Sequence, residues 1–287
     1  MINLFYEEDY WRGARTLNGP KKVIDNLKAS LEQEKIPYAI NEEKYKNNFL
    51  VQYDYNAYLK HSKLTLENCV IGPQIWMFDS HIELKENPHY YKSIITPSQW
   101  VKDLYVSKFG YPENKISIWP VGVSLPEYKR EKKYGCLVYY KRRDQAELSK
   151  VRAFLAERKI TYNVMEYGNY SQNALEILAP ESEFCFVLNG TESQGIAIQE
   201  IMSYNTPMFV WDIKSWEDQG PEWSVPATSI PYWSPECGEW FVNPDDMEFT
   251  FNQFYSRIGE YNPRKYIEDN LSYKKSVEKL LEIFNVN

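Results

Sequence analysis

Twice along this 287-residue chain, short apolar runs alternate with segments whose apolar residues recur every three or four positions. That alternation is the strongest constraint on the fold. Strands separated by helix-length crossovers pair in parallel, and a parallel sheet needs helices on both faces. In the first half, Ile2–Tyr6, Tyr38–Ile40, Phe49–Gln52, Cys69–Ile71, Ser93–Thr96 and Ile116–Trp119 read as strands. Val23, Ile24, Leu27 and Leu31 recur at helical spacing behind Pro20, so 21–34 reads as a helix. Ser98 caps a second helix that Gly110 stops.

A polar, unpatterned stretch at 126–133 marks a junction, and beyond it the alternation restarts. Strands are expected at 136–140, 161–166, 184–188 and 207–211, with helices at 145–158, 171–179 and 195–204. The aromatic, proline-containing stretch 213–244 has little periodicity, and 245–258 and 263–284 look helical. The expected fold is α/β, with two Rossmann-like parallel-sheet domains facing across a cleft and C-terminal helices packing back. The expected domains are 1–125, 134–260 and a C-terminal helix, 261–287, that returns to the first.

Composition narrows the function. A net charge of −7 argues against a nucleic-acid binder, which would carry a basic face. No run of 18 apolar residues offers a membrane span, and the first residues lack a basic, then apolar, secretory signal. A soluble, cytoplasmic protein is expected. Cys69, Cys136, Cys185 and Cys237 lack metal-ligand spacing and read as free thiols. His61, His81 and His89 are too dispersed for a zinc site. No metal is expected. Aromatic residues reach 16%, weak support for a sugar ligand, since cores and interfaces favour them too.

The chemistry concentrates in the run Asn189-Gly-Thr-Glu-Ser-Gln-Gly-Ile-Ala-Ile-Gln-Glu200. Glu192 precedes a small-residue turn and Glu200 lies about two helical turns below the helix mouth. The unpaired amides at that mouth, with the helix dipole, suit an anion. The same residues also fit an ordinary strand–turn–helix connection with two surface glutamates. Two other loops follow strands in this half. In Tyr139-Tyr-Lys-Arg-Arg-Asp144, side-chain alternation puts Lys141 and Arg143 on one side, where they could bind a diphosphate. The alternative is a solvated basic turn capped by Asp144. In Glu166-Tyr-Gly-Asn-Tyr-Ser171, Tyr167 or Tyr170 could face a planar base, unless the loop is only a turn with Ser171 as helix cap. The loop 12–19 of the first half lacks the dinucleotide glycine fingerprint, although Gly19 and its basic neighbours would face the cleft. Trp211, Trp216, Trp223, Trp233 and Trp240 either border an acceptor path or pack over a sheet edge.

Three segments together resemble the GT-B glycosyltransferases, specifically the large retaining group called family 4. They are the Glu192-to-Glu200 block with its Thr206-Pro207 strand entry, the Ile94–Val123 strand–helix–strand, and the Asn18–Leu27 loop and helix. The resemblance implies that Glu192 contacts the donor sugar near its reacting centre. It implies that the Gly195 and Ile196 amides bind the diphosphate, and that Glu200 holds the ribose. Lys141 and Arg143 would neutralise the leaving diphosphate in place of a metal, although the family usually has Arg where Lys141 stands. Gly19 would sit on the acceptor-side or phosphate loop. The implied protein is a metal-independent hexosyltransferase that needs no cofactor beyond a UDP- or GDP-sugar and acts on a glycan or other hydroxyl acceptor. A catalytically inactive relative that binds glycan or nucleotide sugar is the alternative.

Overall fold

A computed structural model describes residues 1–7, 19–51, 58, 65–73, 82–128, 133–216 and 224–285. The loop residues 12–18, His61, His81 and Trp223 lie outside these. The chain divides into two compact units, Met1–Gly122 with Tyr273–Asn287, and Val123–Ser272. The last segment thus joins the first unit from Tyr273, where the sequence reading begins it at 261. Each unit is built on an all-parallel sheet with helices.

In the first unit, β1 (Ile2–Phe5), β2 (Tyr38–Ile40), β3 (Asn48–Val51), β4 (Cys69–Gly72), β5 (Ser93–Thr96) and β6 (Ile116–Ile118) form one sheet, ordered β2-β1-β3-β4-β5-β6. Strands β1, β3, β4 and β5 are buried along their whole length. They therefore read as continuous apolar runs rather than alternating ones. Helix α1 (Gly19–Gln33) buries Val23, Ile24, Leu27 and Leu31, the stripe its spacing predicts. Helix α2 (Gln99–Asp103) follows Ser98, which stands at the N-cap in extended geometry but does not make the expected capping side-chain bond, and it runs into a π-helical turn, Leu104–Lys108, before Gly110. The C-terminal helix α8 (Tyr273–Phe284) packs on α1. The indole of the fully buried Trp119 donates to the Ser276 carbonyl at 2.9 Å, and Ser276 Oγ donates to Pro120 O at 3.0 Å.

The second unit holds β7 (Tyr134–Lys141), β8 (Tyr162–Glu166), β9 (Ser182–Asn189), β10 (Met208–Trp211) and a parallel edge strand missed in the sequence, β13 (Gly238–Phe241). Their order is β13-β10-β9-β7-β8. Two-residue strands β11 (Ser215–Trp216) and β12 (Val225–Pro226) pair separately. Helices α3 (Gln145–Glu157) and α6 (Met247–Ser256) cover one face of the main sheet. There Phe209 meets Phe186, Phe241, Phe251 and Phe254 at centroid distances of 5.0 to 5.3 Å. Each such pair contributes about 0.5–1.5 kcal/mol beyond its burial. Helices α4 (Gln172–Glu181) and α5 (Ile196–Ser203) pack together, with α4 on β7 and β9. All four cysteines are free and buried.

The helix expected over 263–284 is two helices, α7 (Pro263–Asn270) and α8. Between them Leu271 leaves helical geometry, its carbonyl accepts the Val123 amide at 2.9 Å, and Ser272 bridges Val123. The chain breaks helix there to satisfy a strand-like partner. Strand β13 escaped notice because only four residues pair, one of them an exposed tryptophan and another a glycine. Gly238 has φ +146, and a Cβ on it would lie 1.8 Å from the Met208 carbonyl oxygen. Gly238→Ala therefore forces β13 away from β10. It should destabilise the second unit by about 2–4 kcal/mol in urea unfolding followed by tryptophan fluorescence.

Candidate active site

Four strands of the second sheet end side by side. Lys141, Glu166, Asn189 and Trp211 are the last residues of β7, β8, β9 and β10, and Lys141 is directly in register with Asn189. The carboxyl ends of parallel strands are where open α/β sheets bind ligands. The chain leaves β9 at Asn189, passes through 190–195 and re-enters structure as α5.

Glu192 lies in that loop and is only 7% exposed. Its Oε1 accepts from Lys141 Nζ at 2.6 Å and from Asn189 Nδ2 at 3.0 Å, and its backbone amide donates to Thr228 O at 3.1 Å. Asn189 is fully buried, and its Oδ1 has no hydrogen-bond partner among the described residues. The Lys141 ammonium also lies over the Tyr167 ring, 4.5 Å from its centroid. The carboxylate is thus buried and ion-paired, and the residue is held through both its side chain and its backbone amide.

Gly195 is the N-cap of α5 with φ 81 and ψ 43, a left-handed conformation that glycine adopts without the Cβ strain of other residues. Among the described residues the amides of Gly195 and Ile196 donate to no protein acceptor. The loop before them is pinned by a reciprocal amide pair. Gln194 Nε2 donates to Gln199 Oε1 at 3.0 Å, and Gln199 Nε2 returns to Gln194 O at 2.9 Å. The result is a rigid helix start with two amides to offer an anion.

Glu200, on α5, is partly exposed, and its charge raises the pKa of Tyr170. Tyr170 packs edge-on against Tyr139 at 6.1 Å. Burial, opposed by a hydrogen bond from Tyr139 and reinforced by Glu200 and Glu192, pushes the Tyr170 phenol up to about 12. Burial and the Glu192 charge push Tyr139 well above the usual range as well. Tyr167 is 36% exposed, across a turn in which Gly168 has φ +85. Ser171 caps α4, accepting from the Ala174 amide at 3.2 Å.

The structure gives Arg143 and Lys141 different partners. The expected same-side arrangement needs strand geometry to continue, but Arg142 takes φ 50 and turns the chain. Arg143 then grips Glu147 at both oxygens, 2.7 Å from Nε and 2.6 Å from Nη2. Its Nη1 donates to Asn189 O at 3.0 Å and Trp211 O at 3.1 Å, and its guanidinium lies 5.1 Å from the Trp211 ring centroid. These hydrogen bonds hold the Glu147 carboxyl below the usual carboxylate range. With its side chain 9% exposed, Arg143 fastens the ends of β9 and β10 to α3. Asp144 and Glu147 form a capping box at the start of that helix.

Gly19 opens α1 in the first unit, and among the described residues no atom lies within 4 Å of where its Cβ would stand. Trp211 is built into the sheet, whereas Trp240 is half exposed on the edge strand. No cluster of histidine, cysteine or carboxylate side chains able to hold a metal occurs among the described residues. None of their helices is long and apolar enough to cross a membrane. Sequence reasoning overlooked Asn189 and Thr228 as supports of Glu192. The only available sign was a polar residue ending an apolar strand.

Neither family models nor curated protein sequences match this chain. Solved structures do. The lipopolysaccharide outer core galactosyltransferase WaaB, in apo form, is similar over 99% of both chains (TM-score 0.57, 13% identity). Sucrose-phosphate synthase from Thermosynechococcus elongatus is similar over 99% of this chain and 98% of its own (TM-score 0.59, 9% identity). The fold is GT-B. An S. aureus TarM mutant in complex with fondaparinux, alpha-GlcNAc-glycerol and UDP is similar over 80% of this chain (TM-score 0.53, 17% identity). This chain spans 58% of that protein's length. In the GT-B frame the site occupies the strand ends of the second Rossmann-like unit.

Two outcomes follow from this geometry. Arg143→Lys cannot reproduce a fork that serves two carboxylate oxygens and two carbonyls. It should lower stability to urea by about 2–4 kcal/mol. Spectrophotometric titration should find Tyr170 neutral until about pH 12. Its folded pKa exceeds the ordinary 10.0, so the stability it contributes is complete below pH 10 and is lost as pH rises towards 12. A Tyr170→Phe variant should lose less stability over that interval than the wild type.

Proposed function

We propose that the protein is a retaining, metal-independent glycosyltransferase of the family 4 type, moving a hexose-type sugar from a UDP- or GDP-sugar to a glycan or other hydroxyl acceptor. The observation that carries this reading is the buried Glu192 carboxylate paired with Lys141 beside a helix start whose first amides donate to no backbone acceptor among the described residues. The GT-B fold, shared with structures described as glycosyltransferases, agrees with it.

On this reading the donor diphosphate docks on the amides of Gly195 and Ile196, where the helix dipole favours negative charge. Lys141 reaches it from the end of β7. Departure of the nucleoside diphosphate builds charge on the bridging oxygen. A preorganised ammonium and two amides stabilise that charge with little rearrangement, about 3–4 kcal/mol for one well-placed donor. Glu192 faces the sugar, where its carboxylate suits the positive charge developing at the anomeric carbon. Glu200 takes the ribose hydroxyls, and Tyr167 and Tyr170 border the base. Gly19 belongs to the acceptor-side or phosphate loop of the first unit. Arg143, committed to Glu147 and two strand-end carbonyls, serves the site as scaffold instead of meeting phosphate. Lys141 and the helix amides take the place of a metal.

The test begins with a thermal-shift screen of UDP, GDP and their sugar conjugates, since a ligand specific to the folded state raises the melting temperature. With the donor identified, Glu192→Gln should lower transfer by about 100-fold or more while nucleoside diphosphate affinity changes little. Transfer should persist in EDTA, and the product should keep the donor's anomeric configuration by NMR. Wild-type rates in Glu192→Gln would remove the assignment of that residue.

A further inference from the structure

The amide of Glu192 is held by a residue that belongs to no regular element. Its acceptor, the Thr228 carbonyl, lies in the aromatic stretch after β10. That stretch leaves the sheet at Asp212, passes through the β11–β12 pair and returns at Thr228 and Ser229. Asp212 closes its base. The Asp212 carboxylate accepts from Thr228 Oγ1 at 2.8 and 3.0 Å, from the Ser229 amide at 2.7 Å and from Ser229 Oγ at 2.7 Å. Its own amide is fixed to Phe241 O at 2.8 Å, at the end of β13. Thr228 Oγ1 also accepts the Ile230 amide at 3.0 Å, so its hydroxyl proton is committed to Asp212. Asp212 is 9% exposed, and among the described residues no lysine, arginine or histidine pairs with it.

A buried carboxylate without a counter-charge is retained only where hydrogen bonds to its charged form compensate desolvation. Here every one of those bonds goes to Thr228 or Ser229. In asparagine the charge is lost and an Nδ2 donor replaces Oδ2, where the Thr228 hydroxyl donates at 2.8 Å, so the hold on Thr228 is weakened while the Oδ1 bonds to Ser229 can remain. We propose that Asp212 is a positioning residue, fixing the Thr228–Ser229 turn so that the Thr228 carbonyl sets the backbone of Glu192. The inference rests on the reading of Glu192 as the residue that faces the sugar. It assigns Asp212 no contact with substrate. A carboxylate placed by such a clamp keeps its geometry when Lys141 turns to a diphosphate, since its backbone anchor does not depend on Lys141.

The variants are Asp212→Asn, Thr228→Val and Thr228→Ser. Thr228→Val removes the hydroxyl at constant shape, so it serves if Asp212→Asn fails to fold. Hydrogen exchange of the 190–195 segment, measured by mass spectrometry, reads the clamp without reference to activity. Exchange should quicken about tenfold in Asp212→Asn and Thr228→Val, stay normal in Thr228→Ser, and stay normal in β9 throughout. For sugar transfer, kcat should fall about 10–100-fold in the first two variants and recover in Thr228→Ser. The affinity for UDP or GDP alone should shift by less than about threefold, because helix amides hold the phosphates. Unchanged exchange at 190–195 in both disrupting variants would overturn the clamp. Altered exchange with unchanged kcat in an active enzyme would overturn its positioning role. Altered exchange in a protein that transfers no sugar from any donor would leave the clamp standing and remove the reading of Glu192.

Discussion

The contact on which the rest of the site depends is the ion pair between Lys141 and Glu192. Its side chains are 15% and 8% exposed, so both charges have left most of their water. Desolvation of that kind is offset only when geometry and further hydrogen bonds are good, and removal of one partner from a buried pair costs on the order of 3–5 kcal/mol. The further bond comes from Asn189, in register with Lys141 on the neighbouring strand. Parallel pairing of β7 with β9 thereby places a cation, an amide and, three residues on, a carboxylate within hydrogen-bond reach. No single loop could fix them so closely. The sheet supplies the precision and the loop only the residue types.

That arrangement transmits constraint outward. Arg143 ties the carbonyls at the ends of β9 and β10 to α3, and those two carbonyls belong to Asn189 and Trp211. The residue after Trp211 is Asp212, which holds the turn that in turn holds Glu192. A closed circuit runs from Arg143 through both strand ends and back to the acidic loop. Stabilities of members of such a circuit are not additive, because the loss of one anchor loosens the others. Asn189, whose side-chain amide donates to Glu192 and whose backbone carbonyl accepts from Arg143, is a member of the same circuit.

The sequence carried the architecture well because buried parallel strands announce themselves as apolar runs. Phe184–Leu188 and Ser93–Thr96 could hardly be anything else. Helix starts were legible where a side chain caps them, as at Asp144 and Ser171. The failures are instructive. The edge strand Gly238–Phe241 has water on one side and so lacks the apolar signature of its neighbours. The helical periodicity of 263–284 survives a break at Leu271 that a long-range bond to Val123 imposes. At the site, the Glu192, Gly195 and Lys141 cluster followed from local pattern. The parts supplied by Thr228 and Asp212 did not, because a link between positions 36 residues apart leaves no trace in spacing.

The divergence of Lys141 and Arg143 shows where strand reasoning ends. Alternation of side chains holds only while φ and ψ stay extended. One residue at positive φ, Arg142, sends two cations two positions apart to different partners. Their chemistry fits the division. A planar guanidinium with five fixed donors is suited to a permanent fastening among four acceptors. An ammonium on a flexible stem can leave one anion for another by rotating a few bonds. On the proposed reading, this is what metal-free transfer requires. The charge that meets the diphosphate must be mobile, and the frame that keeps Glu192 in place while it moves must not be. Exchanging the two residue types would give a cation too well anchored to respond and a frame too loose to hold.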